Sequence, residues 1–173
     1  MHILNHIKLF FITILFYNFI CADETYLIQT TSGTSYGVDQ KGVITWHDLP
    51  YAKPPIDDLR WRAPRSIENE ALIINDKKNN FCVQRPSSLG GASGESNFVG
   101  TEDCLYLDIR KPKNSNNKLP VMFWIHGGGN TSGLKDIYDF SGLVKKEKVI
   151  VVSINYRLGP FGWFSHPSIQ NFQ

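Results

Sequence analysis

The sequence is short of the residues that build metal centres and disulfide scaffolds. It has three cysteines and five histidines in 173 residues. No Cys or His pairs stand at metal-ligand spacing, so a zinc site has no support. It also lacks an excess of charge. Eighteen Lys and Arg against sixteen Asp and Glu give +2, too little to suggest nucleic acid or an anionic membrane as partner. The basic runs starting at Arg110 and Lys145 are short and broken, and are read as solvated surface. Long apolar runs are missing beyond the amino terminus, and no internal repeat is visible. Apolar residues at 42% make an ordinary globular composition.

The first 22 residues differ from the rest. Lys8 precedes an apolar run from Leu9 to Ile20, and Ala22 precedes Asp23. The run is shorter than the roughly 20 residues of a comfortable span, so a secretory signal cleaved near Ala22 is expected. The alternative is an uncleaved anchor, the only membrane contact this reading allows. Export to an extracellular, periplasmic or secretory-lumen compartment follows. Cys21 belongs to the signal, which leaves Cys82 and Cys104. In an oxidising compartment two cysteines suggest one disulfide, worth roughly 3 kcal/mol in the loop-entropy picture. Two buried free thiols are the alternative.

From Thr25 to Ala52, β-branched and aromatic residues punctuated by Gly33, Gly37 and Gly42 predict hairpins. "KPPIDDLRWRAP" is a proline-rich connection and "SSLGGASGESNFVG" a loop. "CLYLDIRKP" predicts a short strand. "LPVMFWIHG" and "VIVVSINYR" predict strands covered on both faces, with a helix start in "DFSGLVKKEKV" between them. Strand, helix, strand implies a parallel pair. The expected class is α/β, with antiparallel hairpins leading into a mixed, mostly parallel sheet.

"HGGG" at 126–129 then falls at the carboxyl end of a strand, where such sheets carry out chemistry. Its amides can come close to a ligand because no Cβ intervenes. Two aligned N–H groups there suit the oxyanion formed when a nucleophile attacks an ester carbonyl, as in the HGGG loops of lipases and esterases.

Four blocks carry a resemblance. "LPYAKPPIDDLRWRAP" (49–64), "TEDCLYLDI" (101–109), "VMFWIHGGG" (121–129) and "VVSINYRLGPFGWF" (151–164) resemble the type-B carboxylesterases, which include the cholinesterases, in order and in spacing. The resemblance spans nearly all of 25–165 but only the amino-terminal third or less of a family member. It implies an α/β-hydrolase fold and a serine esterase working through an acyl-enzyme on small carboxylic esters, without metal or organic cofactor. It implies that Gly128 and Gly129 give two oxyanion-hole amides, that Cys82 and Cys104 form the family's first disulfide, and that Arg60 and Glu102 form a structural ion pair. Asn130 departs from the aromatic or small apolar residue usual after the glycines.

The resemblance also calls for a nucleophilic serine on a strand-to-helix turn, then an acid and a histidine. "GTSYG" (33–37) matches the pattern literally but lies in the hairpin region and precedes the glycine loop. "GESNF" (94–98) lacks the last glycine. His47 reads as a strand residue, His166 as part of a turn, and His126 as an orienting group for the glycine loop. No triad can be assembled. The chain is therefore expected to be an amino-terminal piece, 23–173 of a partial domain, inactive by itself. The other expectation is a non-catalytic, cholinesterase-like binding or adhesion module. "NTS" at Asn130 is a bare glycosylation sequon.

Overall fold

The computed structural model describes residues 26–69, 71–74, 80–115 and 118–170. The expected signal segment lies outside these. Among the described residues eight strands form two sheets. β1 (Leu27–Thr30) and β2 (Gly33–Tyr36) make an antiparallel hairpin, and β2 pairs in parallel with β5 (Ile73–Ile74). The larger sheet has the order β3-β4-β6-β8-β7. Its strands are β3 (Val38–Gln40), β4 (Val43–Pro50), β6 (Tyr106–Pro112), β7 (Val121–Ile125) and β8 (Ile150–Ile154).

The predicted hairpins are present, and β7 and β8 are the predicted parallel pair. The connection between them contains α1 (Ser141–Glu147). Asp139 Oδ1 accepts the Ser141 amide at 2.9 Å, and Lys148 ends the helix in the left-handed region at φ 54°. Seven residues are too few for a helix to persist alone. Packing holds it: Val144 is fully buried against Val43, Val149 and Val151. The small sheet lies over the larger one, with Tyr26, Ile28 and Ile74 against Ile44, Trp46 and Leu49. Two short helices follow, α2 (Gly159–Trp163) and α3 (Pro167–Gln170). No helix among the described residues is long and apolar enough to cross a membrane.

Two local expectations change. β8 lies between β6 and β7, but the strand before it is less covered than expected. β7 is an edge of this sheet; Trp124 on one face packs against Tyr138 and Phe140, while the other face is not covered. Val121, Phe123 and Ile125, which share one face, are each about 60% exposed (61%, 58% and 60%), and among the described residues only β8 pairs with this strand. Arg110, read as solvated surface, is buried. Alternation along β6 turns it inward with Tyr106 and Asp108.

Arg110 joins a buried ionic cluster. β4 and β6 shift register between Trp46 and Leu49, and Asp48 sits there at φ 55°. Such a bulge re-aims a side chain. The Lys135 ammonium lies 3.1 Å from Asp48, 2.8 Å from Asp108 and 2.7 Å from Asp136, with a side chain 2% exposed. Asp108 also meets His47 at 3.0 Å and Arg110 at 3.1 Å, and Asn80 donates to Asp48. Burial works against the Lys135 charge, but the Asp108, Asp136 and Asp48 carboxylates outweigh it and hold its pKa above the usual value. Burial likewise opposes ionisation of Asp108. Its bonds to His47 and Lys135 prevail, and its pKa falls below the carboxylate range.

Candidate active site: the glycine loop after β7

β7 delivers the chain to His126 at the carboxyl end of the parallel pair. The imidazole is 4% exposed and stacks on Tyr156, with centroids 4.2 Å apart and planes 17° off parallel. The Tyr156 hydroxyl donates to the His126 carbonyl at 2.6 Å. Nδ1 lies 2.8 Å from the Gly127 carbonyl, which makes it the protonated nitrogen; Nε2 is buried with no partner among the described residues. Burial pushes this imidazole below its ordinary pKa, although the Gly127 carbonyl works the other way. His126 is thus bonded to the first carbonyl of the loop, and its burial disfavours the charged ring.

The next turn requires glycine. Gly128 has φ 108°, and its carbonyl accepts the amides of Thr131 at 3.1 Å and Ser132 at 3.2 Å. A Cβ at Gly128 would come within 2.0 Å of the Ser132 carbonyl oxygen. Gly133 has φ 129°, and a Cβ there would meet His126 Nδ1 at 2.0 Å. Gly129 and Asn130 both have φ 60°. Residues 127–130 are exposed, and among the described residues neither the Gly128 nor the Gly129 amide donates a hydrogen bond. Two free N–H groups on consecutive glycines can receive a developing negative charge.

Two further anchors fix the loop. The Asn130 carbonyl accepts the Gly159 amide at 2.7 Å. Gln84, 3% exposed, grips Gly133 from both sides: Nε2 donates to its carbonyl and Oε1 accepts its amide, each at 2.9 Å. The same side chain donates to the Cys82 carbonyl at 3.0 Å and accepts the Ala92 amide at 3.2 Å. Cys82 and Cys104 are joined by a disulfide. Sequence reasoning missed Gln84 and Tyr156. The one signal for Gln84 was its place two residues after a bridged cysteine.

The resembling blocks meet in space. Arg60 and Glu102 form a two-bond pair at 2.5 and 2.6 Å, and the bonds to Glu102 raise the Arg60 pKa. Trp61 Nε1 donates to the Pro160 carbonyl at 3.0 Å, and Arg157 donates to the Arg62 carbonyl at 3.0 Å. Ser35 of "GTSYG" lies in β2 opposite Ile28 and is 2% exposed, so it is no reachable nucleophile. His47 Nδ1 lies 3.0 Å from Asp108 Oδ2, within the buried ionic cluster rather than at the glycine loop. His166 is exposed and its Nδ1 accepts the Ser168 amide at 3.2 Å. Among the described residues no group of three or more potential metal ligands occurs.

The sequence pattern of the carboxylesterase family matches residues 25–171. The chain belongs to the carboxylesterase family. It is 38% identical over 147 residues to the para-nitrobenzyl esterase of Bacillus subtilis (strain 168), covering 84% of this chain and 30% of that protein. It is 39% identical over 145 residues to acetylcholinesterase 4 of Caenorhabditis briggsae, covering 78% and 24%. The structure resembles that of a thermophilic para-nitrobenzyl esterase with a TM-score of 0.72 and 37% identity, over 82% of this chain and 30% of that one. The fold is thus the corresponding part of the α/β-hydrolase fold of these esterases. The chain spans about 30% of the length of the first of these relatives.

Proposed function

We propose that this carboxylesterase-family chain supplies the oxyanion-stabilising part of a carboxylic-ester hydrolase that works through an acyl-serine. Attack of the serine hydroxyl on a small-molecule ester places negative charge on the carbonyl oxygen. The Gly128 and Gly129 amides receive that charge, each such donor being worth about 10² to 10³ in rate. Serine, acid and base lie outside the described residues, and the chain alone turns over no ester. Cys82–Cys104 and Arg60–Glu102 hold the scaffold, and no metal or organic cofactor enters the reaction. Export, with residues 1–22 as its signal, accords with a bridged pair of cysteines. The observation that carries this reading is the pair of exposed, unbonded amides at the end of β7.

A graft tests it. Residues 25–171 replace the matching segment of the Bacillus para-nitrobenzyl esterase, and turnover of a para-nitrophenyl ester is measured. The expected result is an active chimera whose kcat falls about 10² or more with Gly128→Ala, because the added Cβ displaces the loop. A folded chimera without turnover, or one indifferent to Gly128→Ala, overturns the proposal.

A further inference from the structure

Beside the glycine loop lies an open cleft of about 780 Å³. Its walls are mainly Trp61, Val83, Pro86, Phe98 and Phe161, and Thr131 and Ser132 connect it to the loop. Phe98 is 58% exposed and Trp61 40%, a large aromatic surface facing water. Gln84 reaches the cleft with its carboxamide already committed to Cys82, Ala92 and Gly133. It therefore offers an incoming ligand no free donor. Among the described residues lining the cleft, Arg85 is the one that carries a charge. Its guanidinium carbon stands 5.5 Å from the Phe98 ring centroid. Among the described residues it has no carboxylate partner.

We propose that this cleft binds an apolar ligand carrying one negative charge. The ring or chain lies against Phe98 and Trp61, and the carboxylate faces Arg85. A cationic ligand is disfavoured twice. The guanidinium already occupies the ring face that a cation seeks, and it repels a second positive charge. Among the described residues no acidic side chain lines the cleft to offset that repulsion. Under the ester-hydrolase reading, on which this last step rests, the ligand is one arm of the substrate. The substrate class is then esters with a carboxylate on an apolar arm, such as half-esters of dicarboxylic acids. Binding itself does not depend on turnover.

Three probes with one skeleton and different charges test the cleft: 4-phenylbutyrate, 4-phenylbutan-1-ol and 4-phenylbutylammonium. Each is titrated into the purified chain by saturation-transfer NMR at low and high salt. The expected order is carboxylate, alcohol, ammonium, with about fivefold between the extremes at low salt and less at high salt. Arg85→Gln should bring that ratio close to one and leave the alcohol unchanged, which also reports that the variant is folded. Phe98→Ala should weaken all three. A ratio near one in the unaltered chain overturns the proposal, as does an order that survives Arg85→Gln. Binding insensitive to Phe98→Ala, or no binding of any probe, does the same. Failure of the hydrolase reading shows instead in the graft, which these titrations do not touch.

Discussion

Lys135 carries the charge balance of the cluster between β4, β6 and β8. Its ammonium faces Asp48, Asp108 and Asp136 and is nearly inaccessible to water. Removing one member of a buried ionic set leaves the others uncompensated, at a cost of about 3 to 5 kcal/mol. Lys135→Met should therefore lose stability on that scale in urea unfolding, and Asp108→Asn in the same chain should restore part of it. An exposed lysine would show almost no effect. His126 gives a prediction of opposite character. Its folded pKa lies below the ordinary value of about 6.5, so the folded state binds fewer protons than the unfolded state near that pH. Its contribution is complete above about pH 6.5 and is lost as the pH falls below it. Thermal unfolding at pH 7.5 and 5.5 should show a larger drop for the native chain than for His126→Phe, which keeps a ring against Tyr156 but cannot titrate. An equal drop contradicts a neutral, buried imidazole. Residue-scale features of this kind were scarcely legible in the sequence. Lys135 stands beside Asp136 in a short stretch, "GLKD", that looks like any solvated loop. Its burial follows from the bulge at Asp48, a tertiary feature with no periodic trace.

The elements were far more legible, because periodicity and punctuation act locally. Glycines marked the hairpins, and the apolar runs at 121–125 and 150–154 marked the parallel pair. Pattern alone could not say which strand lies at the edge. β7 and β8 carry the same kind of run, and the assignment depends on β8 entering between β6 and β7. The consequence is a row of unpaired backbone groups along β7 with Val121, Phe123 and Ile125 exposed beside it. Such an edge invites strand addition. The purified chain should associate as its concentration rises in sedimentation velocity, and Phe123→Lys should shift the population toward monomer. A native chain that stays monomeric at all concentrations contradicts the bare-edge description.

At the scale of the whole molecule, four short blocks far apart in the sequence converge around one loop. Arg60 meets Glu102, Trp61 meets Pro160, Tyr156 supports His126, and Gln84 beside the disulfide holds Gly133. Block order and spacing made the family recognisable from the sequence. The agents that hold the loop stayed hidden, since hydrogen bonds to backbone carbonyls leave no pattern in residue types. Among the described residues the Gly128 and Gly129 amides are left unbonded and exposed, and in the proposed function this convergence serves to present them. The most direct measurement is a crystal structure of the para-nitrobenzyl esterase graft with its serine covalently bound to a phosphonate. The account predicts the phosphonyl oxygen about 2.7 to 3.1 Å from both amide nitrogens. A phosphonyl oxygen directed away from the loop, with either amide bonded into the protein interior, would contradict it.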